Sequence, residues 1–323
     1  MNDSDPDLAL IRLLADGRFH SGAALGELLG VSRTAIWKRL QRVAEVYGLS
    51  VESVRGKGYR LTTALDPLDP GALERALAGR ADLHFSAVSA STNADALALA
   101  DKAAGPAVVT TEYQSAGRGR RGRRWQSPFG ANLYLSVLYR LPGGFSSLGG
   151  LSLAAGVAIS RALAEVAPDL RPALKWPNDL LVDGAKLGGV LIELAGEMEG
   201  QVQVVVGVGI NVSMSDHQAD AIDQDWIDLR RACGTPPERT RLAAAVAGEL
   251  LAMLDRFAVD GFAPFMAAFD RIDLCRGRPV TLHAGTGQRS GVARGVSEDG
   301  ALRLEVDGET HLMHGGEVSL RLQ

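Results

Sequence analysis

Eight residues carry the densest charge in the chain: Gly117–Arg124 reads Gly-Arg-Gly-Arg-Arg-Gly-Arg-Arg, five arginines and three glycines immediately before Trp125. Guanidinium forks match the oxygens of phosphate or carboxylate, and glycine lets a backbone turn tightly and approach a ligand closely. The whole chain carries a formal net charge of -4, so the cluster is local and not the by-product of a basic protein. Five like charges repel one another unless they are solvated or meet an anion. The favoured reading is a loop that grips a phosphorylated ligand. The competing one is a solvated basic loop of the kind found in disordered RNA-binding segments.

Other clusters offer complementary groups. Ser91-Thr92-Asn93 stands between an expected strand (Leu83–Val88) and an expected helix (Ala94–Lys102). On local grounds alone Thr92 or Asn93 reads as a helix cap. Gln114 leads into the arginine loop. Lys175-Trp176-Pro177-Asn178-Asp179-Leu180 contains a rigid Trp-Pro corner that presents Asn178 and Asp179. Lys186 opens the apolar run Leu187-Gly188-Gly189-Val190-Leu191-Ile192-Glu193; taken singly it is a solvated strand-end lysine.

Such groups need elements to hold them. At 323 residues, 46% hydrophobic and 22% charged, the chain has the composition of a globular protein of two or three domains. Strands are expected at Ala107–Tyr113, Leu133–Tyr139, Leu187–Leu194 and Val202–Gly209, and long helices at Leu148–Val166 and Leu242–Phe257. Strands and helices mixed in this way predict an α/β (α+β) centre. Short runs at Pro279–His283, Gly291–Gly295, Leu302–Val306 and Glu317–Leu322, separated by glycine turns, predict a small β-barrel. Leu65-Asp66-Pro67-Leu68-Asp69-Pro70 reads as a linker. The expected divisions are 1–65, 66–274 and 275–323. Cys233 and Cys275 are too few and too far apart for a disulfide framework or zinc site. Met1–Asp7 has no signal-peptide pattern and no 18-residue apolar run exists, so the expected address is the cytoplasm, away from membranes.

The amino-terminal segment has chemistry of its own. Leu10, Ile11, Leu13 and Leu14 make a first helix ending at Gly17. Ser21 is placed to cap a second helix that stops at Gly30, and Ser32 to cap a third, Arg33–Val43. In the third, Ile36, Leu40 and Val43 form one apolar stripe, with Arg33, Thr34, Trp37, Lys38 and Gln41 away from it. Val54–Leu61 follows as a glycine-tipped basic hairpin carrying Arg55 and Lys57. Between Val31 and Leu61, seven Lys and Arg face two acids, a local balance of +5 that inverts the sign of the chain. Helix, turn, helix and wing predict a major-groove reader. A protein-interaction domain with a merely solvated basic face is the alternative.

Taken in order, these motifs resemble those of biotin protein ligases, and with the amino-terminal winged helix they resemble the bifunctional ligase–repressors of the biotin operon over essentially the whole chain. The resemblance implies a winged helix-turn-helix, a class II synthetase-like central mixed sheet flanked by helices, and a carboxy-terminal SH3-like barrel. It implies biotin and ATP as substrates, Mg²⁺ as the accompanying ion with unknown ligands, and a lysine of biotin carboxyl carrier protein as acceptor. Ser91, Thr92 and Gln114, with backbone near Arg118 and Gly119, are then expected around the ureido group, and Asn93 among the ligand-binding residues. Arg118, Arg120 and Arg121 are expected on the phosphates, and Lys186 between the biotin carboxylate and the α-phosphate. Asp179 is the candidate orienter or base of the transfer step, with a structural Asp-turn as competitor. Trp226, from the loop Ser213–Arg230, is expected to stack on adenine. Gly207-Val208-Gly209-Ile210-Asn211 resembles the family's glycine-rich strand end. The resemblance further implies operator DNA of biotin genes as a partner, contacted by Arg33, Thr34, Trp37, Lys38, Arg55 and Lys57. It also implies a ligand-promoted homodimer, for which Leu187–Leu194 and Val202–Gly209 are the expected edge strands. A lipoate ligase, a biotin sensor with a decayed catalytic site, and a monofunctional ligase whose winged helix no longer reads DNA are the alternatives.

Overall fold

The computed structural model describes residues 6–198, 200–284, 287–315 and 318–322. Three helices open the chain: α1 (Pro6–Leu14), α2 (Gly22–Leu28) and α3 (Arg33–Tyr47). Both serine caps form: Ser21 Oγ accepts from the Ala24 amide at 3.0 Å and Ser32 Oγ from that of Ala35 at 3.2 Å. α3 runs past the expected Val43 because Tyr47 continues the buried stripe of Ile36, Leu40 and Val43. Gly48, at φ 67°, then ends it. β1 (Val51–Val54) and β2 (Gly58–Leu61) form an antiparallel hairpin tipped by Arg55, Gly56 and Lys57. Tyr59 and His20 exchange two backbone hydrogen bonds, both of 2.8 Å, which dock this wing on the helices.

The expected linker is firmly tied down. Leu68 is buried, and Asp69 caps a helix the sequence reading missed, α4 (Pro70–Leu77), with Pro70 at its first turn. Behind the linker, Arg239 and Glu112 form an almost fully buried ion pair at 2.7 Å. Arg239 Nη1 also donates to Asp66 O (2.7 Å) and Nη2 to Asn132 O (2.8 Å), while Glu112 accepts from the Leu68 amide at 2.6 Å. The pair therefore satisfies linker backbone that would otherwise be buried without partners. Tyr47 packs edge-on against Tyr113 and Phe129, with centroids 5.4 and 5.5 Å away, continuing the helical core onto the central sheet. A cavity of about 370 Å³ lies at this junction, lined by Leu49, Leu61, Leu65, Phe129 and Val212 among others; no candidate site residue lines it.

The centre contains β3 (Asp82–Ser89), α5 (Thr92–Leu99), β4 (Ala107–Gln114), β5 (Asn132–Pro142), α6 (Leu151–Val166), β6 (Ala173–Lys175), β7 (Asp179–Val182), β8 (Ala185–Met198) and β9 (Gln201–Asn211). The short helices α7 (Asp216–Ala219) and α8 (Leu229–Cys233) follow, then α9 (Arg239–Asp260) and α10 (Met266–Ile272). The seven strands form one mixed sheet in the order β3-β4-β5-β9-β8-β7-β6, with only β3 and β4 parallel. Alternation divides its faces. Val202, Val204, Val206, Val208 and Ile210 of β9 join the main core with α6 and α9. Val205 instead packs with Ala96 and Ala100 of the α5 segment, so Gly207 and Gly209 also point to the α5 side. Ser136, paired with Gly207, leaves that face small and polar.

Of the two strands expected to offer an edge, Val202–Gly209 does not. β9 is paired with β5 on one side and β8 on the other, because its near-continuous apolar run suits a central strand. β8 pairs with β7 only as far as Gly189; beyond it, among the described residues, its strand pairing is with β9 alone.

The tail forms a five-stranded antiparallel sheet: β10 (Pro279–Ala284), β11 (Gly287–Val296), β12 (Leu302–Val306), β13 (Glu309–Met313) and β14 (Val318–Leu322), in the order β13-β12-β11-β10-β14. β13 was absent from the sequence reading, since Glu-Thr-His-Leu-Met barely alternates. Glu317, the start of the last expected run, lies outside the described residues. Trp176 is buried and donates Nε1 to Gly300 O at 3.2 Å, fastening this sheet to the centre.

Candidate functional site

The polar face of the sheet is where the motifs meet. The arginine-glycine run is an ordered loop between β4 and β5. Gly119 N donates to Arg123 O at 2.7 Å and Trp125 N to Gly117 O at 2.9 Å. Arg121 sits in the left-handed region at φ 59°, a conformation that costs a non-glycine residue about 1–3 kcal/mol. Arg121, Arg123 and Arg124 are exposed, so part of the solvated-loop reading survives. Arg118 is exposed as well, but it and the half-buried Arg120 have side-chain partners in the fold. Arg118 Nη2 donates to Glu193 at 3.1 Å. Arg120 Nη1 donates to Asn178 Oδ1 at 3.1 Å and Nη2 to the Gly315 carbonyl. Burial pulls the Arg120 guanidinium down from its ordinary value; Asp179 opposes that fall and Arg121 adds to it.

The Trp-Pro corner delivers its two polar residues as expected. Asn178 N donates to Lys175 O at 3.2 Å and its Nδ2 to Val190 O at 2.9 Å, which holds Oδ1 toward Arg120. Asp179 Oδ1 lies 2.6 Å from Lys186 Nζ, and its Oδ2 3.8 Å from Lys175 Nζ. All three side chains are at most a quarter exposed, so their charges are less screened than surface pairs. Lys186 Nζ also stands 5.7 Å from the centroid of Trp125. The Trp125 ring lies over Gly209, where a Cβ would meet its Cε2 at 2.5 Å. Its indole Nε1 is buried with no acceptor among the described residues. Sequence reasoning used Trp125 only as a landmark; the usable signal was an aromatic beside the loop and small residues at alternate positions of β9.

The Ser-Thr-Asn cluster departs from the helix-cap reading. Ser91 holds the N-cap position of α5 without a side-chain cap bond. Gln114 Oε1 accepts from the Thr92 amide at 2.9 Å, and its Nε2 donates to Ser127 Oγ at 3.0 Å. Asn93 Nδ2 donates to Glu193 Oε2 at 2.7 Å, while its Oδ1 lies 2.6 Å from Ser136 Oγ. The amide is pressed against bare backbone, for a Cβ on Gly207 would stand 2.0 Å from Asn93 Oδ1. Ser91, Thr92, Asn93 and Gln114 are all buried. Trp226 reaches the site through its backbone: Lys186 N donates to Asp225 O and Ile227 N to Lys186 O, both at 3.0 Å. One face of its ring is covered by the Arg231 guanidinium at 4.1 Å, so at most one face is left for stacking. Asn211, unassigned from sequence, donates Nδ2 to Ile227 O at 3.1 Å and so ties that loop to β9.

The winged helix forms a second, separate surface. Arg33, Thr34, Trp37 and Lys38 are exposed along α3, as are Arg55 and Lys57 at the wing. Its balance is one smaller than counted, because Asp7, outside the counted stretch, pairs with Arg42 at 2.9 Å; the Arg60–Glu52 pair at 2.6 Å is already in the count. Trp37 is 52% exposed.

A mixed sheet with an anion loop over its polar face and a lysine at the strand mouth defines the class of biotin and lipoate ligases. The family described as biotin/lipoate A/B protein ligase matches residues 86–211, an HTH domain matches 7–60, and the biotin protein ligase C-terminal domain matches 277–321. The chain is 42% identical over 322 residues to the bifunctional ligase/repressor BirA of Escherichia coli K12, covering 99% of each. It is 36% identical over 263 residues to the biotin--[acetyl-CoA-carboxylase] ligase of Mycobacterium tuberculosis, covering 78% of this chain and 95% of that one. The solved biotin protein ligase from Aquifex aeolicus in complex with biotin and ATP superposes with a TM-score of 0.64 at 28% identity, over 75% of this chain and 99% of that one. The chain belongs to the biotin protein ligase family, and it matches the bifunctional ligase/repressors along their full length.

Proposed function

We propose that the chain is an ATP-dependent biotin–[biotin carboxyl carrier protein] ligase that also represses biotin genes through its winged helix. The observation that carries the enzymatic half is the convergence of Arg120, Asn178, Asp179 and Lys186 beside Trp125, whose buried indole N–H has no acceptor among the described residues. Cations, an apolar wall and a waiting donor suit a ligand that is part ring, part anion. The Trp125 ring and the bare strand at Gly207 and Gly209 give the biotin ring its wall. Ser91, Thr92 and Gln114 frame its ureido head.

A carboxylate is a poor acyl donor. In the first step its oxygen attacks the α-phosphorus of ATP, the bond to the β-phosphate breaks, and pyrophosphate leaves. Charge grows on phosphate oxygens, and Arg118, Arg120 and Arg121 are the groups we assign to meet it. Lys186 holds the carboxylate against the α-phosphate, exchanging part of its contact with Asp179 for the ligand. In the second step the amine of the acceptor lysine attacks the acyl carbon and AMP departs. Both Asp179 oxygens face lysines, which supports an orienting role for it over that of base. Trp226 offers adenine one ring face.

Among the described residues no three His, Cys, Asp or Glu side chains gather closely enough to hold a metal ion. An ion carried by nucleotide phosphates would suit such a site.

The repressor half rests on an exposed basic recognition helix and wing. We assign Arg33, Thr34, Trp37 and Lys38 to the major groove and Arg55 and Lys57 to phosphate or the minor groove of operator DNA. The exposure of Trp37 speaks against a helix diverted to internal packing. We further propose a ligand-promoted homodimer through the part of β8 beyond Gly189, where Leu194 is 46% exposed. The divisions 1–65, 66–274 and 275–323, an SH3-like barrel in the last of them, and a cytoplasmic address belong to the same reading; no helix among the described residues is long and apolar enough to cross a membrane. Sedimentation with and without biotin plus ATP tests the dimer: heavier particles with both ligands are expected, and equal masses over a wide concentration range overturn it. Mass spectrometry of acceptor protein incubated with ATP and either biotin or lipoate tests the chemistry, with a biotin-sized addition expected and a lipoate-sized one contradicting it.

A further inference from the structure

Glu193 belongs to none of the groups assigned so far, yet one of its oxygens is the meeting point of two of them. Oε2 accepts from Arg118 Nη2 at 3.1 Å and from Asn93 Nδ2 at 2.7 Å. Each bond has a charged partner and is stronger than a neutral one. The Asn93 amide cannot turn freely. Its Oδ1 lies 2.6 Å from Ser136 Oγ, its Nδ2 also reaches Leu191 O at 3.3 Å, and it rests on the bare backbone of Gly207. The row Ser136, Asn93, Glu193, Arg118 therefore runs from β5 across the glycine gap in β9 to β8 and out to the loop. Rigid sheet fixes the amide, the amide fixes the carboxylate, and the carboxylate holds the first arginine of the anion loop. The guanidinium has five N–H donors, so this bond leaves others for a ligand. Arg120 is anchored separately, on Asn178 and Gly315.

We infer that Glu193 is a positioning residue for the arginine-glycine loop, acting through Arg118, and that Asn93 acts through Glu193 and not by touching the ligand. The inference rests on the ligase reading for its consequence, retention of the acyl-adenylate, but the anchoring itself does not depend on that reading and is tested first, with no ligand added. Limited trypsin digestion of the folded protein reads exposure of the loop, whose arginines are the cleavage sites. Glu193→Gln keeps an acceptor for Asn93 and the volume of the side chain while removing the charge that holds Arg118. Cleavage within residues 117–124 is expected to speed up about 10-fold in Glu193→Gln and in Glu193→Ala, with unchanged thermal melting in the former. Unchanged cleavage in both variants overturns the proposal, whatever the protein's activity.

The second readout is the dissociation rate of biotinyl-adenylate formed from biotin and ATP. Glu193→Gln is expected to raise it about 10-fold, and Arg118→Ala combined with Glu193→Gln no further than Arg118→Ala alone. Multiplying effects in the double variant contradict action through Arg118. Wild-type protein that forms no adenylate, together with faster cleavage in the variants, counts against the ligase reading and leaves the anchoring in place.

Discussion

The chain has two arginine-rich regions that differ in what surrounds them. On α3 and the wing, Arg33, Lys38, Arg55 and Lys57 stand in solvent along a regular scaffold. In the loop, Arg120 is drawn inward onto Asn178 and Gly315 while Arg118, still exposed, pairs with Glu193, next to a lysine–aspartate pair and an indole with no acceptor among the described residues. The first arrangement suits a long polyanion whose many phosphates are reached from outside. The second suits a small ligand that displaces internal partners one at a time. Similar composition therefore serves two chemistries, and the partner of each guanidinium, not the count of guanidinia, tells them apart.

The joint between the regions offers the harshest way to break the comparison. Arg239→Ala leaves the Glu112 carboxylate buried and unpaired beside the linker, and is expected to cost about 3–5 kcal/mol in urea denaturation. Both activities should weaken together; loss of one alone would show that the regions do not share this joint. Lys186→Ala separates them instead. Pyrophosphate release should fall about 10²–10³-fold while binding of operator DNA by the ligand-free protein stays unchanged, and wild-type release would remove Lys186 from the site.

Effects on the outer surface should be smaller. Arg33→Ala is expected to cost about 1–3 kcal/mol in fluorescence anisotropy on DNA upstream of biotin genes, with relaxed preference at one position per half-site. Lys57→Ala should weaken all sequences alike and reduce the slope of log affinity against log salt by about 1. Its ammonium stands 5.7 Å from the Phe19 centroid, a contact loose enough to leave it for phosphate. An unaltered slope would mean that the wing does not touch the backbone.

Much of this was legible in the sequence because local signals agree there. Ser21 and Ser32 cap where a hydroxyl before an apolar stripe should, and the alternating valines of β9 point to the core. What escaped was set by distant partners. Thr92 and Asn93 have the composition of a cap, but Gln114 and Ser136, contributed by other strands, claim their side chains. Glu193 looked like the polar end of a strand, and only the fold brings Arg118 and Asn93 to it. Val202–Gly209, expected at an edge, lies at the centre, because periodicity reports a strand's faces and not its neighbours. The helix α4 hid behind two prolines, one of which serves as its first residue.

The claim on which the rest depends is that Arg118, Arg120 and Lys186 serve activation of a carboxylate by ATP. Mixing the purified protein with biotin and ATP, without acceptor, and assaying both pyrophosphate and protein-bound biotinyl-adenylate tests it most directly. One equivalent of each per chain is the expected result. Biotin that binds with no release of pyrophosphate would contradict it, and would leave a sensor where this account places an enzyme.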